Sequence, residues 1–312
     1  MNPWSIFWRQ GHSTTFGDYF KQGYEGAVAD WWQSRADKLA VDAAVLEVGC
    51  GNCSLLPALN RSGFSGRYIG LDLASVEISA VAKEGLAESE IEVILHPETP
   101  AENIPEADAS IDVVASVFGI EYSDLTKSLP EVLRVLKTGG RLTALLHHAG
   151  SVVTAMSRRA MSEYDADDLA AVIDCLTVIS TARDKTPSLA DMKANPEAEK
   201  ARTSINAFAE KYLRDTNLET ANATMFEFMS NALKFFKMMG SSSEERRTFI
   251  SSLADEHRAS HERFRQMVAV AFDDDSIERL KVKLGQLGFS ATSANVIHTN
   301  NQILAWELCT EK

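Results

Sequence analysis

Two apolar runs, each ending in a distinct polar signature, constrain the fold of this chain more than any other feature. The first run leads into Gly49-Cys50-Gly51, and the second ends at Asp72. Because glycine lacks a Cβ and tolerates positive φ, a Gly-x-Gly turn lets the backbone approach a ligand closely. A carboxylate at the end of the next strand, about twenty residues on, can accept both hydroxyls of a ribose. Together the runs predict a nucleotide-type cofactor site.

Strand and helix patterns alternate between residues 43 and 150. The apolar runs predict strands at 44–48, 68–72, 92–95, 111–116 and 141–147, with helices beginning near Ser54, Ser75 and Leu125. Alternating strands and helices require crossover connections, so we expect a parallel sheet with helices on both faces. Ligands of such sheets bind beyond the carboxyl ends of the strands, which is where both polar signatures lie.

The motifs resemble those of one known family. A dinucleotide fingerprint needs a third glycine after the turn, but Ser54 stands there. Glu47-x-Gly49-x-Gly51 and Gly70-x-Asp72 instead resemble the first motifs of class I S-adenosylmethionine-dependent methyltransferases. The resemblance continues in order and spacing through residues 101–105, 109–116 and 133–142, and it covers residues 43–148. It implies an α/β fold with a Rossmann-like seven-stranded sheet, mostly parallel with an antiparallel last strand.

The resemblance also implies a methyltransferase enzyme with S-adenosylmethionine as cofactor and S-adenosylhomocysteine as product. Asp72 would accept the ribose hydroxyls, with Leu73 against the adenine, while Glu47 would lie near the amino end or buttress the loop. Pro100 replaces the usual adenine-binding Asp, so backbone groups of the next two residues would take over. An aromatic residue before the sheet would fold over the cofactor mouth. The implied cofactor residues are Glu47, Gly49, Cys50, Gly51, Asp72, Leu73, Ala101, Glu102, Ser116, Val117 and Tyr24.

Candidates for the transfer step lie at the ends of the fourth and fifth strands. His147 and His148 are the best-placed bases, because an imidazole titrates near neutrality. Successive strand residues point to opposite faces, so at most one of the two should face the pocket. Phe118, Glu121 and Tyr122 are the candidate substrate contacts. The segment lacks the Asn/Asp-Pro-Pro-aromatic sequence of enzymes that methylate nucleobases or glutamine.

The chain is predicted to have four segments: an aromatic-rich helical segment at 1–42, the cofactor-binding core at 43–150, an α-helical cap insertion at 151–271, and a return to the core at 272–312. Between Gly150 and Gly240 there is no glycine. Within the insertion, Met225, Phe228 and Met229 begin an apolar stripe that predicts one helix as far as Met239. The stripe fits an adaptable substrate pocket, the core of the insertion itself or a dimer interface.

Charge and cysteine content limit the kinds of partner, compartment and metal site that we expect. A net charge of −13 would repel a phosphate backbone, so we expect no nucleic acid partner. We expect neither a signal peptide nor a membrane span, and the four scattered cysteines favour a reducing cytoplasm. Cys50-Gly51-Asn52-Cys53 matches a redox or zinc half-motif, but it overlaps the glycine turn and no second pair completes a zinc site. We therefore expect no metal and no redox role.

The sequence thus predicts a cytoplasmic methyltransferase acting on a small, partly apolar molecule enclosed under the helical cap. Two alternatives stay open. One is a binding protein that holds S-adenosylmethionine without transferring its methyl group, and the other is a methyltransferase acting on a macromolecule such as a protein. Homodimer formation is also left open.

Overall fold

The computed structural model of the protein describes residues 2–217 and 220–312. These residues divide into two compact units. Unit 1 comprises Met1–Ser157 and Gln266–Lys312, and unit 2 comprises Arg158–Arg265. The chain crosses from one unit to the other within two helices, which span residues 152–163 and 243–270.

Unit 1 contains the sheet that the sequence predicted. Its strands are β1 (Ala44–Val48), β2 (Arg67–Leu71), β3 (Glu92–His96), β4 (Ile111–Val117), β5 (Leu136–His147), β6 (Ser290–Thr299) and β7 (Gln302–Glu311). In the described residues they form one seven-stranded sheet in the order β3-β2-β1-β4-β5-β7-β6. Strands β1 to β5 pair in parallel, and β7 runs antiparallel to both β5 and β6. The predicted mostly parallel sheet with an antiparallel last strand is confirmed.

Helices connect and cover these strands. Along the chain they are α1 (Pro3–Arg9), α2 (Gly26–Ala36), α3 (Leu56–Arg61), α4 (Ala80–Glu84), α5 (Leu125–Val135), α6 (Val152–Glu163), α7 (Ala166–Asp184), α8 (Leu189–Lys193), α9 (Pro196–Leu213), α10 (Ala223–Ala232), α11 (Ser243–Val270) and α12 (Asp274–Leu287). Short 3-10 turns occupy Gly17–Phe20, Ile120–Tyr122 and Leu233–Met238.

The core of unit 1 forms around its central strands. Strand β1 is buried along its whole length, as expected of a parallel strand that is covered on both faces. Leu46 and Val114 pack there with Leu280 and Leu284 of α12, so the last helix shares the core of the first strands. Each such side chain stabilises the fold by about 1.5–3 kcal/mol through burial. The chain thereby returns to the sheet after the insertion.

Unit 2 has an apolar core of its own. Helices α7, α9 and α10 contribute most of it, and the predicted methionine and phenylalanine stripe lies inside it. Met225, Phe228, Met229 and Phe235 are fully buried. The stripe is therefore core within unit 2, the second of the three alternatives that the pattern allowed.

Several boundaries differ from the sequence prediction. Strand β5 begins at Leu136, five residues before the predicted start at 141. The helix expected near Ser75 begins at Ala80, because Ser79 caps it by accepting a hydrogen bond from Ala82 N. The single helix expected up to Met239 ends at Ala232 and continues as a 3-10 turn, whose three-residue repeat preserves the same apolar spacing.

The sequence spacing of Ser241 and Glu244 also predicts a capping box at the start of α11. It forms one residue later, where Ser242 and Glu245 exchange their backbone and side-chain hydrogen bonds. The sequence offers both registers, because three serines precede two glutamates. Pattern alone cannot choose between them.

Candidate functional site

The glycine turn after β1 is held against β2 and the end of β4. Gly49 N and Cys50 N both donate to the Leu71 carbonyl, at 2.8 and 3.1 Å. Gly49 has a φ of +72°, and a Cβ at this position would lie 2.5 Å from Gly119 Cα. The turn therefore needs glycine both for its conformation and for the approach of two backbones. Gly119 was missed by the sequence analysis, although a glycine directly after a strand was a usable signal.

Asp72 lies where the sequence placed it, directly after β2 and facing the glycine turn. Its Oδ2 accepts a hydrogen bond from Gly51 N and its Oδ1 accepts one from Ala74 N, both at 2.8 Å. Burial raises the pKa of this carboxyl, and the two backbone hydrogen bonds oppose the rise. A carboxylate oxygen has two lone pairs, so each oxygen can still accept a further hydroxyl donor. Beside it, the Leu73 side chain is 63% exposed.

Glu47 lies buried beneath the same turn. Tyr68 donates a hydrogen bond of 2.5 Å to its Oε2. Burial raises the pKa of Glu47 well above its usual range, and the Tyr68 hydrogen bond opposes the rise. Tyr24 lies close enough to feel this carboxyl, and burial raises the pKa of its phenol to about 12. The Tyr24 hydroxyl pairs with the hydroxyl of the half-buried Thr15 at 3.1 Å.

Helix α1 packs directly on the turn. A Cβ on Gly51 would lie 2.3 Å from the Trp8 ring, which leaves no space for a side chain at Gly51. Asn52 Nδ2 donates to the carbonyls of Trp8 and His12, at 3.0 and 2.9 Å. The Ser5 hydroxyl accepts a hydrogen bond of 2.9 Å from Ser75 N. The sequence showed an aromatic segment here, but gave no reason to single out Trp8 or Asn52.

The loops after β2 and β3 are joined by backbone hydrogen bonds. Thr99 N donates to the Asp72 carbonyl at 2.9 Å. Ala101 is buried, and the Glu102 carboxylate accepts a hydrogen bond of 2.6 Å from Asp124 N at the start of α5. The side chain of Glu102 is thus used to fix the helix start. Only its backbone and that of Ala101 are candidates for an adenine contact.

The end of β4 brings the other cofactor candidates toward β1. The buried Ser116 hydroxyl donates to the Val48 carbonyl at 2.7 Å and accepts from Ile120 N at 2.8 Å. Val117 is buried beside it. Phe118 has a φ of +54°, a left-handed conformation that is uncommon for a non-glycine residue. Backbone strain of this kind occurs frequently at functional sites.

Four of the five candidates for substrate and catalysis form one cluster. The rings of Phe118 and His147 stack at 4.6 Å, and Tyr122 Oη lies 3.0 Å from His147 Nε2. Glu121 Oε1 accepts a hydrogen bond of 3.0 Å from His147 N. Glu121 and His147 are only 5% and 2% exposed. Within the described residues, Glu121 Oε2 and His147 Nδ1 are buried atoms without a hydrogen-bond partner.

Burial sets the protonation of this cluster. It raises the pKa of Glu121 to about 7, and the hydrogen bonds from backbone N–H groups oppose the rise. Burial also lowers the pKa of His147 to about 3, so its imidazole is neutral near pH 7. The two unpartnered atoms therefore belong to a carboxyl that titrates near neutrality and to a neutral ring nitrogen.

His148 lies on the other face of β5. Its ring stacks on Trp306 at 4.7 Å, and its Nδ1 accepts a hydrogen bond of 2.8 Å from Gly150 N. Burial lowers the pKa of His148. As the strand alternation predicted, only one histidine of the pair joins the cluster with Glu121 and Tyr122.

No helix in the described ranges is long and apolar enough to cross a membrane. Nor does the described part of the chain contain a group of three or more His, Cys, Asp or Glu residues arranged to hold a metal ion.

Comparison with known proteins shows which proteins this region is similar to. Residues 46–144 match the sequence profile of a methyltransferase domain. The chain is 33% identical over 106 residues to an uncharacterized methyltransferase of Bacillus subtilis, which covers 34% of this chain and 41% of that protein. It is 30% identical over 118 residues to a demethylmenaquinone methyltransferase of Thermus thermophilus, which covers 36% of this chain and 53% of that protein.

A solved S-adenosylmethionine-dependent methyltransferase from Mesorhizobium loti has a TM-score of 0.32 at 21% identity, over 40% of this chain and 56% of that one. This chain spans about half the length, or less, of the curated relatives that it matches. The matched profile begins within β1 and ends within β5, and so contains the glycine turn, Asp72 and the end of β4.

Proposed function

We propose that residues 46–144, which match the profile of a methyltransferase domain, form a class I S-adenosylmethionine-dependent methyltransferase domain. The whole chain would transfer the methyl group of this cofactor to a small, partly apolar molecule. The observation that carries the proposal is the pairing of Asp72 with the Gly51 N–H beside an exposed Leu73, inside the matched region. The Thermus relative is named for demethylmenaquinone, which supports a small acceptor.

The residues present fit this cofactor. Asp72 keeps lone pairs for two ribose hydroxyls while its carboxylate is fixed by two backbone N–H groups. Leu73 offers an exposed apolar surface for the adenine face, and Gly49 and Gly51 let the turn lie closely against Gly119 and Trp8. Glu47, buried at the end of β1, would buttress the turn, and Tyr24 would fold over the cofactor mouth. Val117 and the backbones of Cys50, Ala101, Glu102 and Ser116 complete the proposed set.

The cofactor, when bound, supplies a methyl group that is already activated on a sulfonium. The protein therefore has to orient the acceptor, exclude water and accept its proton. A general base works best when its pKa lies near the working pH. Glu121, with a pKa of about 7, meets this condition, whereas His147, with a pKa of about 3, does not.

We therefore assign the proton-accepting role to Glu121 Oε2. His147 holds the acceptor through its unpartnered Nδ1, and Tyr122 and Phe118 fix its ring. His148 is left out of the assignment, because its ring packs on Trp306 on the opposite face. This assignment moves the base from the histidines that the sequence favoured to a glutamate in the 3-10 turn after β4.

The helical insertion is proposed to serve acceptor recognition. Both of its connections to unit 1 leave from the end of β5: Phe272 N donates to the His147 carbonyl, and Ala149 N donates to the Phe272 carbonyl, each at 2.8 Å. The chain segments that lead into and out of the insertion thus meet at the backbone of His147.

The test is transfer from S-adenosylmethionine labelled in its methyl group to a cell extract, followed by separation of small molecules from macromolecules. We expect label in the small-molecule fraction with the wild-type protein. Glu121→Gln should abolish transfer while keeping cofactor binding, and His148→Asn, the matched control on the other face, should keep both.

Each alternative has its own outcome. Label in protein or nucleic acid alone would make the chain a macromolecular methyltransferase. Cofactor binding without transfer to any fraction would favour the binding protein. Transfer that survives Glu121→Gln would remove the assigned base but leave the proposed activity in place.

A further inference from the structure

Helix α1 is attached to the loops of the proposed cofactor site at several points. Asn2 Nδ2 donates to the Leu73 carbonyl at 3.4 Å, and the Ser5 hydroxyl accepts a hydrogen bond from the same loop at 2.9 Å. The Trp8 ring packs on Gly51 of the glycine turn. A helix of seven residues is not stable by itself in water, so these contacts determine where the helix lies.

Trp4 extends from this helix to the proposed acceptor site. It precedes Trp8 by one helical turn, and the two rings stack at 6.4 Å. The rings of Trp4 and Tyr122 meet edge to face, with centroids 5.5 Å apart and planes at 84°. The indole N–H of Trp4 donates to Gln266 Oε1 at 2.9 Å. Stacking on Trp8 and the hydrogen bond to Gln266 therefore orient the ring that packs against Tyr122.

Tyr122 carries this contact on to His147. Its hydroxyl lies 3.0 Å from His147 Nε2, and the two rings meet at 5.9 Å with planes at 76°. A hydrogen bond weakens steeply when its distance or angle departs from the ideal, so a rotation of the half-buried Tyr122 ring would break it. Because Trp4 packs against this ring, it limits that rotation.

The contact with Tyr122 determines how His147 can meet an acceptor. A neutral imidazole carries its proton on one nitrogen, and the partner of the other nitrogen helps to decide which one. Tyr122 is the partner of Nε2, while Nδ1 has no partner in the described part of the chain. A fixed Tyr122 hydroxyl therefore fixes both the place of the imidazole and the character of Nδ1.

We propose that Trp4 is a positioning residue for methyl transfer, which holds Tyr122 against His147 and so fixes the imidazole that binds the acceptor. The inference rests on the proposed function, which places His147 at the acceptor. Trp4 acts through Tyr122 and not on the acceptor itself. A residue of the aromatic N-terminal segment thereby becomes part of the support of the transfer site.

The contacts of α1 divide between the two halves of the site. Asn2, Ser5 and Trp8 contact the loops that would hold the cofactor, whereas Trp4 contacts Tyr122. Removing the Trp4 ring leaves the first three contacts in place. It should therefore slow transfer without weakening cofactor binding. A merely structural role of Trp4 would affect both.

The first experiment measures the ring nitrogens of His147 by NMR in the full chain labelled with 15N at histidine. His147→Asn identifies the signals by removing them. We expect Trp4→Ala to shift the Nε2 signal in the same direction as Tyr122→Phe, which removes the hydroxyl. The double variant should resemble Tyr122→Phe alone, because two changes to one chain of contacts are not additive. Trp4→Phe keeps an aromatic ring and should stay closer to the wild type than Trp4→Ala.

The second experiment separates cofactor binding from transfer. Calorimetry measures the dissociation constant for S-adenosylmethionine, and methyl-labelled cofactor at saturation measures transfer to the small molecules of a cell extract. We expect Trp4→Ala to leave the dissociation constant unchanged and to reduce transfer about ten- to a hundredfold, the effect of misplacing a group at the site by about 1 Å.

Two variants are matched controls for the NMR measurement. Ser5→Ala loosens the same helix on its cofactor side, and Trp31→Ala removes another indole of unit 1, whose N–H donates to Glu307 at 3.0 Å. Both should leave the His147 signals in place. The signals of the other histidines check that each variant is folded. If Trp4→Ala is unfolded, Trp4→Leu, which keeps an apolar side chain without an aromatic edge, replaces it in both experiments.

The proposal is overturned if the His147 signals of a folded Trp4→Ala or Trp4→Leu variant match those of the wild type. It is also overturned if Ser5→Ala shifts these signals equally, or if cofactor affinity and transfer fall together. Failure of the wild type to bind S-adenosylmethionine or to transfer label would instead refute the proposed function. The NMR comparison would still report on the contact between Trp4, Tyr122 and His147, so the two failures are distinguishable.

Discussion

Replacing Glu121 with glutamine should change how the stability of unit 1 depends on pH. The carboxyl is buried at the end of β4, and its pKa is raised from 4.5 to about 7. Between these values the folded state holds a proton that the unfolded state has lost, so wild-type stability falls as pH rises through this window. Glutamine is similar in shape and cannot titrate. The stability of the Glu121→Gln variant therefore does not fall with pH in this way.

The magnitude follows from the size of the shift. A shift from 4.5 to about 7 corresponds to about 3 kcal/mol at 1.36 kcal/mol for each pH unit. We therefore expect the free energy of unfolding of Glu121→Gln, minus that of the wild type, to rise by about 3 kcal/mol between pH 4.5 and pH 7 and then to level off.

His147 provides an internal check of opposite sign. Its pKa is lowered from 6.5 to about 3, so its contribution to stability is present above pH 6.5 and is lost as pH falls toward 3. In the wild type the effects of Glu121 and His147 on the pH dependence of stability nearly cancel between about pH 4.5 and 6.5. Once Glu121→Gln removes one of them, acidification should destabilise the variant by about 1.4 kcal/mol per pH unit through His147.

The assay is urea unfolding at a series of pH values, followed by tryptophan fluorescence. All five tryptophans belong to unit 1, so the signal reports on the unit that contains Glu121. Glu88→Gln removes one negative charge from an exposed side chain and serves as the matched control. If the difference in free energy of unfolding between Glu121→Gln and wild type stays constant from pH 4.5 to 7, the reasoning is refuted.

Two further predictions concern packing. Gly119→Ala should destabilise unit 1 by about 1–3 kcal/mol, because its Cβ would lie 2.5 Å from the Val48 carbonyl oxygen. Gly285→Ala in α12 has open space around its Cβ and should stabilise unit 1 by up to about 1 kcal/mol. Urea unfolding measures both, and equal effects would contradict the close approach of the two backbones. Phe228→Ala should destabilise unit 2 by about 3–5 kcal/mol, since the ring is fully buried; circular dichroism during unfolding checks this, and a loss below about 1 kcal/mol would be inconsistent with it.

Most of the sheet followed from apolar runs and the residues that end them. β1 and β2 could be predicted because their runs stop at glycine or aspartate, which end strands for backbone and solvation reasons. The closing hairpin of β6 and β7 followed from Asn300 and Asn301, both of which adopt the positive φ that such a turn requires. Helix boundaries were harder to predict. Neighbouring serines and glutamates offered two capping registers near residue 242, and the box forms in the later one.

The site was predictable only where a residue type is required by its own backbone or charge. Gly49 and Asp72 are such residues. Trp8 and Asn52 are not, because their roles depend on α1 lying across the turn, which is a long-range contact without a local signature. The same limit applies to Glu121. Its raised pKa comes from burial at the meeting point of β4 and β5, and sequence does not encode burial directly.

The central claim is that the turn and Asp72 hold S-adenosylmethionine, and calorimetry of cofactor binding tests it most directly. We predict that the reduced wild-type protein binds S-adenosylmethionine and S-adenosylhomocysteine but not NAD. Asp72→Asn should weaken binding by about tenfold or more, as the loss of charged hydrogen bonds to the ribose requires, while Asp42→Asn on an exposed loop should leave it unchanged. Absence of binding to both sulfur cofactors, or equal affinity of wild type and Asp72→Asn, would contradict the account.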